Sequence, residues 1–423
     1  MIALLIIADD LTGANDTGVQ LAKRGIPTFV TIDPGIDFSS LAQAIRVLVV
    51  DTESRHIPAP QAAQRVEKIT QRAREQGVKF FYKKTDSTLR GNIGAELEAA
   101  LRASHRDRLV FVPAFPGAQR FTRQGTHYVG AELLHTTEFG QDPLEPLTTS
   151  SIPEILQQQT NLQVATVFLD AIRRDEEVNF EGGDIIVCDG ETGDDLRRIG
   201  EQLQAQCLLG LTAGSAGFAG LLPDLLQLSE CKTDEIQVDG PVLIINGSLN
   251  SVSLKQVEYA EKTGVNSISI SPEDLLRDDF EMTDQYKNIY ARSRRAAEAG
   301  EDLIIRTTPS RKAVEDYLAA INPHLSAQAV YKTAASHIGI IVANILRAAD
   351  FPACAVFGGD TLLGIMEAMS FAGIRPRAEI TSGTVLSEVE GAPGSLHLIS
   401  KAGGFGEEDV IIEIIEYIRG RTP

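Results

Sequence analysis

The sequence predicts an α/β protein built from two α/β domains with mainly parallel sheets. Its main support is the alternation of short apolar runs with helix-like stretches, which is typical of parallel strands buried on both faces. The length supports two domains, because 423 residues exceed what one ordinary hydrophobic core contains. In the first half, the apolar runs are residues 3–8, 45–50, 108–113, 184–190 and 208–214, and the helix-like stretches are residues 14–24, 60–76 and 94–103.

A polar stretch, SECKTDEIQVDG (229–240), separates the two predicted domains. It has no clear period, and a new apolar strand, PVLIING (241–247), follows it at once. We therefore expect a first domain over residues 1–232 and a second over residues 240–423. The alternation continues in the second half through residues 301–307, 333–348, 353–359 and 407–419.

Composition narrows the classes of partner. The net charge of −19 repels nucleic acid and anionic membranes, so we expect neither as a partner. The four cysteines have no CxxC spacing, so we expect no metal site. The first apolar run is too short for a signal peptide, and no segment approaches the roughly 18 apolar residues of a membrane span. We expect a cytoplasmic protein and leave open whether it forms a homo-oligomer.

Two adjacent carboxylates, Asp9 and Asp10, end the first apolar run in ALLIIADDLTGAND (3–16). A haloacid-dehalogenase-type phosphatase needs the motif DxDxT after such a strand. Aligning DLT (10–12) with the second half of that motif places Ala8 at the nucleophile position, which argues against that class. Two interpretations remain: the pair accepts hydrogen bonds from the hydroxyls of a small molecule, or Asp10 only caps the helix that follows.

Charged and hydroxylated side chains are crowded into FYKKTDSTLRGNIGAE (81–96). Its two glycines open a helix, whose first backbone N–H groups can bind an anion. This mixture favours a binding site over a plain surface loop. Lys84 and Arg90 suit a substrate carboxylate, which arginine can pair in a bidentate manner, and we expect Arg90 or Arg55 to do so. Asp86 can accept a hydroxyl proton.

Ligands of parallel sheets bind at the carboxyl ends of the strands. In the first domain we expect that edge to carry Asp9 and Asp10, residues 51–55 and the loop over residues 112–127. This loop is rich in proline and glycine, and structured loops of that kind are often functional. A lone histidine is more often structural than catalytic. The loop's basic residues are Arg120, Arg123 and His127.

The second domain contains several loops that fit phosphate. Glycine lets the backbone approach a phosphate, and a helix N-terminus attracts it. No GxxxxGK[ST] is present, and no GxGxxG follows the first strand, so we expect neither a P-loop nor a dinucleotide fold. The loops are INGSLNS (245–251), VFGGDTLLGIMEAM (356–369), TSGTVLSE (381–388) and LISKAGGFGEEDV (398–410).

Together, the stretches ADDLTGAND, KKTDSTLRGNIGAE, VPAFPGAQRFTRQG, GGDT and SKAGGFG resemble the four-carbon acid-sugar kinase family over essentially the whole chain. The resemblance implies ATP-dependent phosphorylation of D-threonate, D-erythronate or 3-oxo-tetronate, and it leans towards D-threonate. It also implies a substrate-binding N-terminal domain and a nucleotide-binding C-terminal domain. We expect an active site in the cleft between the domains, with Mg²⁺ carried by the nucleotide.

Carried over onto this sequence, the family's motifs imply substrate contacts by Asp10, Arg55 and residues 84–87, and nucleotide contacts by Ser248, residues 358–361 and Gly403. With the residue-based predictions added, the expected substrate-binding residues are Asp9, Asp10, Arg55, Lys84, Thr85, Asp86, Ser87 and Arg90. The expected nucleotide-binding residues are Ser248, Gly358, Gly359, Asp360, Thr361, Gly383, Lys401, Gly403 and Gly404.

Phosphoryl transfer to a hydroxyl needs a carboxylate that accepts the hydroxyl proton. Asp10 and Asp86 are the candidates, and Asp360 is a less favoured third. Two other classes stay open: a non-catalytic two-lobed sugar-acid sensor, which needs no nucleotide, and a sugar-acid dehydrogenase, against which the missing GxGxxG counts. The stereoisomer of the acid, the hydroxyl that is attacked and the identity of the base are left open.

Overall fold

The computed structural model describes residues 2–41, 44–142, 145–174, 176–228, 238–308, 312, 316–317, 327–391 and 396–420. It divides into two compact units, Met1–Lys232 and Thr233–Pro423. Both units are α/β with mainly parallel sheets, which confirms the predicted fold class. Most of the predicted linker, residues 229–237, lies outside the described residues.

The first unit is built around a parallel sheet. Its strands are β1 (Leu4–Ala8), β2 (Thr28–Thr31), β3 (Val47–Asp51), β4 (Phe80–Lys84), β5 (Leu109–Val112), β6 (Arg120–Arg123), β7 (Thr126–Val129), β8 (Glu132–Leu133), β9 (Val164–Val167), β10 (Ile185–Cys188) and β11 (Leu211–Gly214). The main sheet has the order β2-β3-β1-β4-β11-β5-β10-β9, and each of these pairings is parallel. β6, β7 and β8 form a small antiparallel sheet.

Helices connect these strands. They are α1 (Leu11–Ala22), α2 (Phe38–Leu41), α3 (Ala59–Glu75), α4 (Ile93–Ser104), α5 (Ile152–Gln157), α6 (Leu169–Ile172), α7 (Gly193–Ala205), α8 (Ala216–Ala219) and α9 (Leu222–Leu225). Every residue of β1 and β3 is buried, as expected for parallel strands covered on both faces. Local signals set helix ends: α7 begins with a capping box between Thr192 and Asp195.

The second unit has a mixed sheet. Its strands are β12 (Val242–Asn246), β13 (Asn266–Ser269), β14 (Leu303–Arg306), β15 (Ala353–Phe357), β16 (Gly373–Thr381), β17 (Thr384–Glu390) and β18 (His397–Lys401), in the order β13-β14-β12-β15-β18-β17-β16. β17 is antiparallel to both neighbours, and the other described pairings are parallel. The helices are α10 (Ser251–Lys262), α11 (Pro272–Leu275), α12 (Asp284–Ala299), α13 (Ala327–Ala348), α14 (Gly359–Met369) and α15 (Val410–Ile418).

A β-hairpin stands where the sequence analysis placed one of the phosphate-compatible loops. Residues 381–388 contain the tight turn between β16 and β17. Gly383 has φ +74°, which glycine adopts without strain. A Cβ at this position would lie 2.8 Å from the ring of Phe405. Gly383 is therefore required by the turn itself and by the residue packed on it.

Helices α13 and α14 approach each other at two glycines. A Cβ on Gly339 would lie 2.2 Å from the carbonyl oxygen of Gly364, and a Cβ on Gly364 would lie 2.2 Å from that of Ala335. No carbon atom fits at such distances, so the spacing of the two helices depends on both glycines. α14 carries Asp360 and Thr361 in its first turn.

Helix α13 also has the length and apolar composition of a membrane span. Residues Ala329–Ala348 have a mean hydropathy of 1.3, and 44% of this stretch is buried inside the unit. The sequence-based expectation that no segment approaches such a span is therefore wrong for this helix on length and composition. Its contact with α14 shows that one of its faces packs within the unit.

Replacing Gly364 by alanine tests the helix contact. At an exposed helix position, Gly→Ala raises the free energy of unfolding by up to about 1 kcal/mol. Here the methyl group meets the backbone of α13, so we expect this free energy to fall by about 1–3 kcal/mol. Gly193→Ala is the control, because Gly193 begins α7 and a Cβ there meets no atom within 4 Å. Urea unfolding measures both variants, and a Gly364→Ala protein as stable as wild type would contradict the close contact.

Candidate active site

The carboxyl edge of the first unit's sheet brings the predicted acid-binding residues together. Asp9 and Asp10 follow β1, Arg55 lies in the loop after β3, and Lys84 ends β4. β1 is paired in parallel with both β3 and β4. The three strand ends are therefore neighbours, although they lie far apart in the sequence.

One guanidinium holds both carboxylates that follow β1. Arg55 Nε donates to Asp9 Oδ2 at 2.7 Å, and Arg55 Nη1 donates to Asp10 Oδ2 at 2.8 Å. Arg55 Nη2 lies 2.8 Å from Asp10 Oδ1, which makes the pair with Asp10 bidentate. The side chains of Arg55 and Asp9 are only 10% and 3% exposed. We call these three residues the Arg55 clamp.

Electrostatics keep Arg55 and Asp9 ionised. Burial alone would raise the pKa of Asp9, but Arg55, Lys83 and Lys84 outweigh it and lower this pKa to about 2. Burial alone would lower the pKa of Arg55, but the surrounding carboxylates, Asp10 and Asp9 foremost, raise it well above its ordinary value. The clamp is thus a fixed arrangement of one cation and two anions.

Asp10 has a second partner. Its Oδ1 accepts the backbone N–H of Gly13 at 2.9 Å and caps α1. The capping role weighed from the sequence is therefore present, in addition to the ion pair. Asp10 Oδ2 accepts only the Arg55 bond among the described residues, so one of its lone pairs is free for a ligand.

Backbone geometry places Arg55. Gly91 has φ +89°, and a Cβ there would lie 3.0 Å from Arg55 Cγ and 3.3 Å from the Arg55 carbonyl oxygen. The side-chain amide of Asn92 donates to the carbonyl oxygens of Ser54, Arg55 and Ile57. A larger residue at 91 would push the arginine stem, and Asn92 fixes the backbone that carries it.

Lys84 presents a buried ammonium group at the N-terminus of α1. A Cβ on Gly13 would lie 2.7 Å from Lys84 Nζ, and the residue is 4% exposed. No hydrogen bond or ion pair reaches this ammonium from the described residues. A cation at a helix N-terminus opposes the helix dipole. The position therefore suits an anionic ligand group that both the ammonium and the helix attract.

Three buried oxygen atoms at the ends of β1, β3 and β4 have no hydrogen-bond partner in the described part of the chain. They are Asp9 Oδ1, Asp51 Oδ2 and Thr85 Oγ1. The register that pairs Ile7 with Lys83 places Asp9 and Thr85 just beyond neighbouring strands. A buried polar atom without a partner is costly, so these atoms are suited to binding hydroxyl groups.

Asp86 is surrounded by donors. Arg90 Nε and Thr88 Oγ1 each donate to Asp86 Oδ2 at 2.6 Å, and Arg90 Nη1 donates to Asp142 Oδ2 at 3.1 Å. Burial would raise the pKa of Asp86, but Arg90 and Arg55 hold it well below its ordinary value. Such a weakly basic carboxylate is a poor proton acceptor. Its geometry suits the orientation of Arg90.

The segment after β5, expected to be a loop, contains the antiparallel strands β6 and β7 and supports Ser87. His127 is fully buried; its Nε2 lies 3.0 Å from the carbonyl oxygen of Ser87 and its Nδ1 lies 3.1 Å from Thr122 Oγ1. Burial lowers the pKa of His127 to about 4, so the ring is neutral at pH 7 and holds Ser87 in place. Arg120 lies over the ring of Phe139, and Arg123 pairs with Glu191.

Sequence reasoning missed the residues that contact the backbone and the side-chain stem of Arg55 and position it. The sequence analysis interpreted Gly91 only as one of two glycines that open a helix, and it assigned no role to Asn92 or Glu96. The signal was present in RGNIGAE, where a glycine, an amide and a carboxylate stand close together. Their targets, residues 54 and 55, lie far away in the sequence, and only the fold shows that the two segments meet.

Three loops meet at the carboxyl edge of the second unit's sheet. The N–H of Gly247 donates to the carbonyl of Phe357 at 3.0 Å, and the N–H of Gly358 donates to that of Lys401 at 3.4 Å. A Cβ on Gly403 would lie 2.7 Å from Ser248 Oγ. The loops after β12, β15 and β18 are thus packed side by side.

Glycines at these loops leave no room for side chains. A Cβ on Gly247 would lie 1.9 Å from Thr361 Oγ1. Gly358 has φ +114° and occupies the cap position of α14, where no side chain caps the helix. The N-terminus of α14 is therefore open to a phosphate. Asp360 is exposed in its first turn.

Lys401 lies beneath the glycine-rich turn. Its ammonium donates to the carbonyl oxygens of Ala402 and Gly403 at 3.1 and 3.4 Å and to Ser253 Oγ at 3.3 Å. It lies 4.8 Å from the ring centroid of Phe357. Burial lowers its pKa to about 7. The N–H of Ala402 donates to the carbonyl of Gly383 at 3.1 Å, so Lys401 and Gly383 both support this turn, of which Gly404 is also part.

No group of three or more His, Cys, Asp or Glu side chains within the described ranges is arranged to hold a metal ion.

Comparison with known proteins matches the two units to two domain families. Residues 4–222 match a sugar-binding N-terminal domain, and residues 243–411 match a nucleotide-binding C-terminal domain. The chain is 33% identical to a D-threonate kinase of Salmonella typhimurium LT2, over 98% of each chain. It is 31% identical to a D-threonate kinase of Bordetella bronchiseptica, over 98% of this chain and 97% of that one.

More distant matches agree with these. A 3-oxo-tetronate kinase of Cupriavidus necator is 29% identical over 98% of this chain and 96% of its own. A solved protein of Salmonella typhimurium LT2 is similar in fold, with a TM-score of 0.81 and 22% identity over 98% of this chain and 99% of that one.

A sugar-binding and a nucleotide-binding domain in one chain, with kinases similar over nearly its whole length, define a phosphotransferase that uses ATP and acts on a hydroxyl group. The chain belongs to the four-carbon acid-sugar kinase family. The resemblance and the enzyme class predicted from the sequence are thereby confirmed.

The buried ammonium of Lys401 predicts a pH effect on stability. Its pKa falls from 10.5 to about 7 on folding, so between these values the unfolded chain binds the extra proton. The free energy of unfolding then rises with pH, by up to about 1.4 kcal/mol per pH unit. Lys401→Met removes this contribution. Urea unfolding between pH 7 and 9 measures it, and an identical slope in wild type and variant would contradict the buried position.

Proposed function

We propose that this protein converts D-threonate and ATP into 4-phospho-D-threonate and ADP. The observation that carries the proposal is the Arg55 clamp with the unpaired Lys84 ammonium beside it, because hydroxyl acceptors and a cation are what a hydroxy acid requires. Support for D-threonate comes from the two relatives of that specificity at 33% and 31% identity. The reaction takes place in the cytoplasm.

The acid binds at the carboxyl edge of the first unit's sheet. Lys84 and the helix dipole of α1 hold its carboxylate, with Arg90 as the second cation. Asp9 Oδ1 accepts a hydrogen bond from one hydroxyl group of the acid, and Thr85 Oγ1 donates one to another; both atoms are buried and without partners in the described part of the chain. Ser87, whose carbonyl oxygen is held by His127, offers its hydroxyl group to the acid at the edge of this site.

Asp10 is the preferred acceptor of the hydroxyl proton. Its Oδ2 keeps a free lone pair, whereas Asp86 Oδ2 already receives Arg90 and Thr88. Arg90 and Arg55 also hold the pKa of Asp86 well below its ordinary value against burial, which weakens it as a base. Arg55 fixes Asp10 by both oxygens, so that the carboxylate cannot turn away from the attacking hydroxyl.

ATP binds at the three packed loops of the second unit. The open N-terminus of α14 offers backbone N–H groups to the phosphates, and the glycines at 247, 358, 359, 403 and 404 leave the loops without side chains that would block their approach. Ser248 and Thr361 add hydroxyl groups. The exposed carboxylate of Asp360 would offer an oxygen ligand to a Mg²⁺ ion carried by the phosphates, and the ion would supply positive charge to the transferred group.

A direct assay tests this function. The protein is incubated with ATP, Mg²⁺ and, separately, D-threonate, D-erythronate and 3-oxo-tetronate, and ADP release is followed. We expect D-threonate to give the highest kcat/KM. A higher kcat/KM with another acid would identify that acid as the substrate instead of D-threonate. Acid binding with no ADP release would favour a sugar-acid sensor.

Substitution of the two candidate bases separates their roles. Asp10→Asn keeps the helix cap, since asparagine caps as well as aspartate, but it cannot accept the proton. We expect kcat to fall at least about a hundredfold with an unchanged KM for ATP. Asp86→Asn should mainly raise the KM for the acid, because it frees Arg90.

Asp37→Asn is the matched control. Asp37 is exposed and accepts the N–H of Ser39 at 2.9 Å just before α2, so this variant should keep wild-type kinetics. If Asp10→Asn and Asp86→Asn both keep near-normal kcat, the base lies elsewhere, and Asp360 becomes the next candidate.

A further inference from the structure

A fully buried ion pair lies behind the Arg55 clamp. Lys83 Nζ is 3.0 Å from Glu96 Oε2, and the two side chains are 0% and 2% exposed. Lys83 belongs to β4, and Glu96 lies in the first turn of α4. The pair therefore joins the strand that ends at Lys84 to the helix opened by Gly91 and Asn92.

The ion pair reaches the loop that carries Arg55. Ser54 Oγ donates to Glu96 Oε1. The backbone N–H groups of Ser54 and Arg55 both donate to the carbonyl oxygen of Asp9, at 3.0 and 3.2 Å. Lys83 Nζ also donates to the carbonyl oxygen of Lys84 at 2.7 Å. One connected set of bonds thus fixes the ends of β1, β3 and β4 relative to each other.

Such a pair is a costly way to stabilise a core. Removing two charges from water takes several kcal/mol per ion, and a well-packed apolar pair of similar volume is often as stable. Here the pair supplies a positive charge near Asp9 and a fixed hydrogen-bond acceptor for Ser54. Lys83 is one of the cations that outweigh burial and lower the pKa of Asp9, and Glu96 points a carboxylate oxygen at Ser54.

We propose that Lys83, Glu96 and Ser54 are positioning residues for the acid site. They hold the backbone of residues 54 and 55 in place, so that Arg55 keeps its hydrogen bonds and ion pairs with Asp9 and Asp10. They act through the clamp and do not themselves touch the acid. The inference rests on the proposed function for its kinetic consequence, since the clamp is the part of the site that meets the hydroxyl groups.

Two variants of the full chain test the proposal, each with a matched control. Ser54→Ala removes one buried hydroxyl and leaves the ion pair intact; Ser104→Ala removes another, which donates to the Leu101 carbonyl in α4. Glu96→Gln neutralises a buried carboxylate in the first turn of a helix; Asp195→Asn does the same in α7, where the partner is Arg173.

Kinetics provide the first measurement. We expect Ser54→Ala and Glu96→Gln to lower kcat/KM for D-threonate at least about tenfold, because a small misplacement of a positioned group can cost up to about a hundredfold. The KM for ATP should stay within about twofold of wild type, as expected when only the acid side is disturbed. Both control variants should keep wild-type kinetics whatever they lose in thermal stability.

Hydrogen–deuterium exchange provides a second measurement that needs no substrate. The amides of Ser54 and Arg55 are bonded to Asp9, so peptides covering residues 52–57 should exchange faster in Ser54→Ala and Glu96→Gln than in the controls. Exchange and kcat/KM equal to those of the controls would overturn the positioning role. A wild-type protein that phosphorylates none of the acids would refute the proposed function alone. The exchange result would still decide whether Lys83, Glu96 and Ser54 position residues 54 and 55.

Discussion

The acid site depends on the guanidinium of Arg55, which is shared between two carboxylates of the same chain. Without it, Asp9 and Asp10 would place two negative charges side by side at the end of a buried strand. With it, both carboxylates are paired with a positive charge and oriented, and Asp10 also caps α1. The surrounding features follow from this need: a glycine at 91 that leaves room for the arginine stem, an amide at 92 that fixes its backbone, and a lysine at 84 that remains available for an anion.

The fold class could be predicted because it depends on local patterns. Apolar runs such as LLIIA and VLVVD are long enough for strands buried on both faces, and amphipathic stretches between them form the helices. Features that depend on distant residues could not be predicted in this way. The hairpin around Gly383 resembles any other glycine loop in the sequence, and the contact of Gly339 with Gly364 requires two helices to be brought together.

The active site shows the same difference between local patterns, which could be predicted, and contacts between distant residues, which could not. Asp9, Asp10, Lys84 and Asp86 could be singled out because polar groups at strand ends are conspicuous. The partner of each one could not be assigned. Arg55 was expected to bind the acid's carboxylate, and in the fold three of its nitrogen atoms contact the chain's own carboxylates. Lys401 was expected among the nucleotide ligands, and its ammonium is directed to carbonyl groups beneath the turn. Both partnerships link segments that the folded chain alone brings into contact.

The central role of Arg55 is tested most directly by the Arg55→Lys variant. Lysine keeps the positive charge but cannot pair both Asp10 oxygens and Asp9 at once. With D-threonate and saturating ATP, we expect kcat/KM for the acid to fall at least about a hundredfold, or about 2.7 kcal/mol of transition-state stabilisation, with an unchanged KM for ATP. A variant that keeps kcat/KM within about threefold of wild type would show that charge alone suffices and would contradict the clamp as the organising interaction of the site.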